Sequence, residues 1–245
     1  MKTLIVVPAR WGSTRFPGKM LAPLLGKPLV QWAWEAAGRS RLADRVVVAT
    51  DDRRIRRAVE AFGGEVVMTS KRHPSGTDRM AEVAEKVPAR LYVNVQGDEA
   101  LLPPREIDAL IRGMAACRAP IGTLAHAVAS EEEYQRPDVV KVVTDREGNA
   151  LYFSRSPLPC FRDGLGPREL RQVRRHVGIY AYRAAGLRRF VSLPPGRLEK
   201  YERLEQLRAL EHGLRIRVFA TRYRAVGVDT PADLAEAEQL LRARG

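Results

Sequence analysis

The amino-acid sequence predicts an α/β fold, with a three-layer, mostly parallel Rossmann-like sheet and a smaller strand-rich portion. Over the first half of the chain, short apolar segments typical of buried parallel strands alternate with amphipathic helical segments. Polar residues follow these apolar segments directly, at the sheet edge where ligands bind in open α/β folds. Beyond about residue 120 strand patterns dominate and helices become few. We expect one domain over residues 1–245 that contains both parts.

The first part, about residues 1–120, carries four strand patterns and four helix patterns. Apolar runs that stop at polar or turn residues predict strands at 4–7, 45–49, 65–68 and 91–95. Capping and breaker residues predict helices at 29–38, from the cap at 50–52 to about 61, from the loop at Pro74 to about 86, and after Pro103-Pro104. This βαβ repetition brings the carboxyl ends of the strands to one edge of the sheet.

The strand-rich portion, about residues 121–215, has a different order of predicted elements. It is expected to contain strands at 122–129, 139–144, 150–153 and 177–182, a long loop at 157–174 and a helix at 198–212. A strand near 216–220 and a helix from Pro231 are expected in the C-terminal segment. We expect this segment, residues 216–245, to pack back on the first part.

The net charge of +13 raises the question of nucleic-acid binding. Only seven of the 42 basic residues are Lys, and the basic residues are dispersed without any block of five or six. This pattern argues against a specific nucleic-acid partner, while a basic field also attracts anionic small molecules. No apolar run is long enough for a membrane span, and no signal-peptide pattern precedes the first strand. We therefore expect a cytoplasmic protein with no membrane partner.

The loop Pro8-Ala9-Arg10-Trp11-Gly12-Ser13-Thr14-Arg15-Phe16-Pro17-Gly18-Lys19 follows the first predicted strand. Its cations Arg10, Arg15 and Lys19, small residues and backbone N–H groups are typical of a phosphate-binding loop. The loop is not a Walker A motif, because five residues separate its two glycines and Met20 stands where Ser or Thr is required. The sequence therefore predicts a phosphate site of another kind.

Further segments at strand ends and in later loops narrow the interpretation. They are Ser75-Gly76-Thr77-Asp78-Arg79, Asn94-Val95-Gln96-Gly97-Asp98-Glu99, Tyr152-Phe153-Ser154-Arg155, His176-Val177-Gly178-Ile179-Tyr180, Leu204-Glu205-Gln206-Leu207-Arg208 and Gly227-Val228-Asp229-Thr230-Pro231. Together with the first loop they resemble the 3-deoxy-manno-octulosonate cytidylyltransferases, also called CMP-Kdo synthetases, over residues 4–234. The resemblance implies a nucleotide-diphospho-sugar transferase fold that joins CTP to Kdo, with release of pyrophosphate, for lipopolysaccharide biosynthesis. Ala100 departs from the family pattern, which usually has Pro at this position.

A nucleotide site follows from this resemblance. Its implied residues are Ala9, Arg10, Ser13, Lys19, Ser75, Gly76, Thr77 and Gln96, with Arg10, Lys19 and Asp98 as catalytic residues. Nucleotidyl transfer passes through a crowded anionic transition state, so positioned cations suit the chemistry. Ser75 also fits an ordinary role as a helix N-cap, and both roles are compatible because a helix N-terminus donates N–H groups.

A magnesium ion is the expected cofactor. Mg²⁺ prefers oxygen ligands and is usually held by one or two carboxylates plus substrate oxygens. Asp98 follows a predicted strand at the ligand edge, and the resemblance implies that Asp229 joins it on the metal. For either residue alone, turn formation or helix capping is the ordinary alternative.

The sugar site is implied in the strand-rich portion, including its predicted helix at 198–212. Its residues are Arg155, His176, Tyr180, Glu202, Glu205 and Gln206. Arg155 is suited to bidentate pairing with a sugar carboxylate. For Tyr180 and Glu202 an ordinary structural role is an equal alternative.

The resemblance also implies a homodimer formed through the strand-rich portion. Two other functions remain open at this point. One is a cytidylyltransferase for a related acidic sugar, such as 8-amino-Kdo or a nonulosonate. The other is a basic nucleic-acid-binding module, which the dispersed, Arg-rich charge and the two aspartates do not favour.

Overall fold

The computed structural model describes residues 2–12 and 15–243, which contain eleven strands and ten α-helices. The strands are β1 (Thr3–Ala9), β2 (Pro23–Leu24), β3 (Lys27–Pro28), β4 (Arg45–Thr50), β5 (Val66–Met68), β6 (Leu91–Asn94), β7 (Ile121–Ala127), β8 (Lys141–Thr144), β9 (Ala150–Ser154), β10 (Arg174–Arg183) and β11 (Ile216–Ala220). The helices are α1 (Leu29–Gly38), α2 (Arg53–Ala61), α3 (Gly76–Lys86), α4 (Pro104–Ala115), α5 (Glu131–Gln135), α6 (Pro167–Leu170), α7 (Ala184–Ser192), α8 (Arg197–Glu202), α9 (Leu207–Glu211) and α10 (Pro231–Arg242). The chain forms two compact units, Met1–Ile111 with Ala225–Gly245, and Arg112–Arg224.

The first unit is built on a parallel sheet in the order β6-β1-β4-β5. Strand β1 is buried along its whole length, and its register places Ile5 beside Val46 and Val93. Such continuous apolar strands belong to sheets covered on both faces, and helices α1, α2 and α3 pack against this one. The carboxyl ends of β1 and β6 therefore open on the same edge, where the Arg10 and Asp98 loops begin.

Side-chain caps begin three helices of this unit close to the predicted positions. Asp52 accepts a hydrogen bond from the Arg54 N–H (2.8 Å) and begins α2. Ser75 caps α3 through the Asp78 N–H (3.1 Å), and Thr230 caps α10 through the Asp233 N–H (3.2 Å). Because these caps satisfy N–H groups that have no partner inside the helix, they fix where each helix starts.

The second unit has a mixed sheet in the order β11-β7-β10-β8-β9. Strand β7 pairs antiparallel with β10 and parallel with β11. Residues 216–245 were expected to pack together on the first part, but β11 belongs to the second unit and only the segment from residue 225 belongs to the first. The buried Ile216 beside Ile121 gives the physical reason, since this strand completes the apolar face of β7.

The predicted helix at 198–212 is wrong as a single element. The chain forms α8 and α9, with Arg203 between them in the left-handed region (φ 52°). The Leu204 N–H bonds to the Glu199 carbonyl (3.2 Å), and Arg208 pairs with Glu199 across the break (2.6 Å). The helical periodicity of the sequence continues through the break, so the pattern alone does not reveal it. The predicted loop at 157–174 likewise contains the short helix α6.

The predicted α/β class with a mostly parallel sheet is confirmed. Among residues 2–12 and 15–243, no helix combines the length and the apolar character needed to cross a bilayer.

Candidate active site

The loop after β1 is closed by contacts around Trp11. The Gly18 N–H donates to the Trp11 carbonyl (3.2 Å), and Gly18 has a positive φ of 71°. A side chain at Gly18 would be strained by this backbone, and its Cβ would come within 3.0 Å of the Trp11 ring. On the ring itself, the Arg54 guanidinium stacks 3.4 Å from the centroid. The expected residue Ser13 lies outside the described residues.

Lys19 lies between two aspartates at the centre of this site. Its Nζ donates to Asp98 Oδ2 (2.5 Å), to Asp229 Oδ1 (2.9 Å) and to the Val228 carbonyl (3.0 Å). Only 8% of the Lys19 side chain is exposed, whereas Asp229 is 44% exposed. All three ammonium protons are thus used, and one buried cation is shared by two carboxylates.

The charge on Lys19 is stabilised by this environment. Burial by itself would lower the pKa of Lys19. The charge and hydrogen bonds of Asp98, followed by those of Asp229, outweigh burial and raise the pKa above its ordinary value. Lys19 therefore carries a full positive charge at neutral pH.

Two loops hold the aspartates together. Asp98 follows β6 after Gly97, where an added Cβ would lie 2.9 Å from the Pro8 carbonyl oxygen. Glycine at this position lets the Asp98 loop approach the end of β1 closely. The Val228 N–H then donates to the Asp98 carbonyl (3.2 Å), so the loop before α10 is tied to the loop after β6.

An open cavity of about 250 Å³ lies at this sheet edge. Seven of its lining residues were expected from the sequence: Arg10, Lys19, Ser75, Gly76, Gln96, Asp98 and Asp229. Two other expected residues do not line it, because Ala9 is buried within β1 and Thr77 is buried in the first turn of α3. The cavity therefore joins the phosphate loop, the start of α3 and both aspartates in one unit.

Three further polar residues line the cavity: Arg15, a cation already predicted in the phosphate-binding loop, and His73 and Arg79, which were missed. Arg15 pairs with Asp229 Oδ2 at 2.8 Å, and the buried Arg79 donates to Thr69 Oγ1. Arg79 ends the motif at residues 75–79, so its position in that motif was the available signal. His73 carried no such signal, because its placement depends on its contact with Glu82 on α3.

The two aspartates suit a magnesium ion. They already share one cation, and two carboxylates plus substrate oxygens form a donor set that Mg²⁺ commonly takes. Within the described residues Asp98 Oδ1 accepts no hydrogen bond, while Asp229 Oδ2 faces Arg15. No group of three His, Cys, Asp or Glu side chains arranged to hold a metal occurs in the described ranges.

All six residues expected to bind sugar lie in the second unit. Arg155 follows β9, and its Nε donates to the Glu202 carbonyl (2.8 Å). The Glu202 carboxylate accepts from Ser154 Oγ (2.5 Å) and from the Arg155 N–H (2.9 Å). Glu202 therefore supports Arg155 from the end of α8. Glu205 and the buried Gln206 lie between α8 and α9.

His176 and Tyr180 lie together on β10. Burial lowers the pKa of His176 to about 3, so its ring is neutral, and its Nε2 lies 2.9 Å from Thr123 Oγ1. The two rings are 5.2 Å apart between centroids. Tyr180 Oη is buried and has no hydrogen-bond partner among the described residues, and burial raises the Tyr180 pKa well above 10. Such a hydroxyl is suited to bonding a polar ligand.

Comparisons with known proteins give the family. A family model described as "Cytidylyltransferase" matches residues 4–216. A Geobacter sulfurreducens protein named 3-deoxy-manno-octulosonate cytidylyltransferase is 51% identical over 99% of this chain and 100% of its own length. A Vibrio cholerae serotype O1 protein of the same name is 48% identical over 100% of this chain and 99% of its own.

Solved structures agree with the sequence matches. A CMP:2-keto-3-deoxy-manno-octonic acid synthetase complexed with CTP is 44% identical, with a TM-score of 0.94 over the full length of both chains. A cytidylyltransferase from Leptospira borgpetersenii is 17% identical, covers 99% of this chain and 87% of its own, and shows the shared fold with a TM-score of 0.66. The resemblance identified from the motifs is thus confirmed, and this chain belongs to the cytidylyltransferase family, in the group of the 3-deoxy-manno-octulosonate cytidylyltransferases.

Proposed function

We propose that this protein activates Kdo with CTP, giving CMP-Kdo and pyrophosphate in a Mg²⁺-dependent reaction that serves lipopolysaccharide biosynthesis. The observation that carries the proposal is the Lys19 ammonium between Asp98 and Asp229, in a cavity beside the phosphate loop. A nucleotidyl transfer needs cations for the triphosphate and carboxylates for a metal, and this cavity combines both.

In the proposed site, the chain's own cations bind the triphosphate. Arg10 is exposed at the cavity and Lys19 is buried within it, so a bound triphosphate would meet one exposed and one buried cation. The N-terminus of α3, with Ser75 and Gly76 in the cavity wall, adds a partial positive charge. These groups stabilise charge that grows on the phosphate oxygens as pyrophosphate leaves.

Asp98 and Asp229 would hold the metal in this proposal. Mg²⁺, when bound, would neutralise phosphate charge and orient the α-phosphoryl group. The two loops that carry the aspartates are joined by the hydrogen bond from Val228 to the Asp98 carbonyl, so their spacing is fixed before substrate arrives. Such preorganisation lowers the cost of ordering the site during the reaction.

The residues proposed to bind the sugar include one cation, Arg155, and a neutral aromatic pair, His176 and Tyr180. Arg155 Nη2 makes no hydrogen bond among the described residues and is suited to a carboxylate. Neutral His176 and the unpartnered Tyr180 hydroxyl would bond sugar hydroxyl groups. Glu205 and Gln206 complete the proposed sugar-binding set.

The substrate is tested by pyrophosphate release from CTP, measured with Kdo, 8-amino-Kdo and a nonulosonate, each with and without Mg²⁺. Rapid, metal-dependent release with Kdo is expected. Pyrophosphate release with a nonulosonate but not with Kdo would show that the proposed sugar substrate is wrong. Absence of transfer together with submicromolar, sequence-selective nucleic-acid binding at physiological salt would overturn the enzyme assignment.

A homodimer and a cytoplasmic location complete the proposal. The resemblance to the family supports a dimer formed through the strand-rich portion, where the large apolar side chains of Leu151 and Tyr201 expose 61% and 76% of their surface. Cys117 and Cys160 are free thiols, as is usual in a reducing compartment. Light scattering at micromolar concentration should give about twice the chain mass of 27.4 kDa, and the monomer mass would contradict the dimer.

A further inference from the structure

Lys141 on β8 is a fully buried cation in the second unit. None of its surface is exposed, and its Nζ donates to three backbone carbonyls, those of Arg136 (2.8 Å), Val139 (2.7 Å) and Arg155 (2.6 Å). Burying an ammonium group carries a large desolvation penalty, so a hydrophobic residue would fill this space with less destabilisation. The three carbonyls therefore need a specific explanation.

One of these three bonds holds the backbone of Arg155, and the other two hold the loop that contacts its side chain. Its main-chain carbonyl is held by Lys141, and its main-chain N–H is held by Glu202 Oε2 at 2.9 Å. Its Nη1 donates to the Pro137 carbonyl at 3.1 Å, and Pro137 lies between two residues whose carbonyls Lys141 also holds. Lys141 thus fixes both the backbone of Arg155 and the loop that accepts its guanidinium.

The pairing of strands supports the same role. In the β8–β9 register Lys141 lies opposite Ser154, the residue before Arg155. Ser154 and the Arg155 N–H both donate to the Glu202 carboxylate, so a buried cation and a carboxylate hold this dipeptide from two sides. The Nη2 group of Arg155 is left without a hydrogen bond within residues 2–12 and 15–243.

We infer that Lys141 is a positioning residue for the acidic sugar substrate, acting through Arg155 and the loop 136–139. The inference rests on the proposed function, in which Arg155 binds the sugar carboxylate. Lys141 itself touches no substrate. Its contribution is to hold the guanidinium in one orientation before the sugar binds, which reduces the entropy lost on binding.

The test uses steady-state kinetics of the full-length Lys141→Met variant. At saturating CTP, the KM for Kdo should rise roughly tenfold, as expected for loss of charged hydrogen bonds near the binding group. The KM for CTP should stay within about twofold, because the nucleotide residues lie in the other unit. The matched control is Lys200→Met, since Lys200 is exposed in the same unit, and its KM for Kdo should be unchanged.

A double-mutant cycle distinguishes the positioning of Arg155 by Lys141 from a general contribution of Lys141 to the fold. If Lys141 acts through Arg155, then Lys141→Met in an Arg155→Ala background should raise the KM for Kdo by less than about twofold. Fully multiplicative effects, an equal rise in the KM for CTP, or an unchanged KM for Kdo in Lys141→Met would each overturn the inference. Lys141→Gln, which keeps two N–H donors, is judged by the same criteria where the Met variant does not fold. A wild-type enzyme that does not use Kdo would overturn the proposed function as well.

Discussion

The Lys19 ammonium lies 2.5 Å from Asp98 Oδ2, although 79 positions separate the two residues in the chain. Lys19 also donates to Asp229, so its single positive charge is shared by both carboxylates of the proposed metal pair, and Arg15 places a second cation at Asp229. A cation of the triphosphate loop therefore occupies the space between the residues that are proposed to hold a metal ion.

Replacement of Lys19 should have two opposite effects. Lys19→Met should lower kcat/KM for CTP by about 100-fold, because a charge that stabilises the transition state is lost. The same change leaves Asp98 and Asp229 without their shared cation, so Mn²⁺ should bind more tightly in the absence of nucleotide. Calorimetry with Mn²⁺ measures this, with Lys200→Met as the control. Unchanged kinetics with CTP would contradict the assignment of Lys19 to triphosphate binding. Unchanged Mn²⁺ affinity would contradict the idea that Lys19 competes with the metal ion for Asp98 and Asp229.

Each of the two proposed metal ligands should be necessary for turnover. Asp98→Asn and Asp229→Asn keep the side-chain shape but remove the charge, and each should reduce turnover by at least about 100-fold without loss of fold. Circular dichroism checks the fold, and Asp163→Asn on an exposed loop serves as the control. Near wild-type rates at saturating Mg²⁺ in either variant would show that the aspartate does not hold the metal.

His176 should act as a neutral group throughout the physiological range. Burial lowers its pKa to about 3, so the ring does not gain a proton between pH 5 and pH 8. His176→Gln should raise the KM for Kdo, and the ratio of variant to wild-type KM should stay constant across this pH range. A ratio that changes with an apparent pKa between 5 and 8 would show that the imidazole titrates in the free enzyme.

Glu82 should stabilise the loop beside the cavity in a pH-dependent manner. Burial alone would raise its pKa, but hydrogen bonds from Lys86, the Ser70 N–H and His73 outweigh burial and lower the pKa to about 2. Since the folded pKa is lower than the ordinary 4.5, the stabilisation is present above about pH 4.5 and is lost as the pH falls toward 2.

Glu82→Gln is therefore expected to reduce the free energy of unfolding by about 1–3 kcal/mol at pH 7. The difference from wild type should shrink between pH 4.5 and pH 2.5. Urea unfolding across this range measures it, with the exposed Glu85→Gln on the same helix as the control. A difference that does not depend on pH would show that the carboxylate charge is not the cause.

Local sequence signals predicted the first unit well, because its elements are determined by neighbouring residues. The apolar run of β1 identifies a buried strand, and the side chains of Asp52 and Ser75 mark helix starts through bonds to residues two or three positions away. The break at Arg203 has no such local signal, since it depends on the pairing of Glu199 with Arg208 in the folded unit.

The sequence predicted which residues form the candidate site better than it predicted the contacts between them. The motifs indicated Lys19, Asp98 and Asp229, but their shared bonds depend on how distant loops converge. The support of Arg155 by Lys141 was missed for the same reason, because a lysine within an apolar strand pattern carries no sign of its partners. Contacts across such sequence distances depend on tertiary packing.

The first unit is discontinuous in sequence, since it contains Met1–Ile111 and Ala225–Gly245. During synthesis the phosphate loop leaves the ribosome well before the Asp229 partner of Lys19, which follows Lys19 by 210 positions. A nascent chain halted before this point would lack one carboxylate of the proposed metal pair and the loop tied to Asp98. The arrangement therefore delays activity until residue 229 has been synthesised, and nonsense truncations upstream of it should yield inactive protein even where most of both units is present.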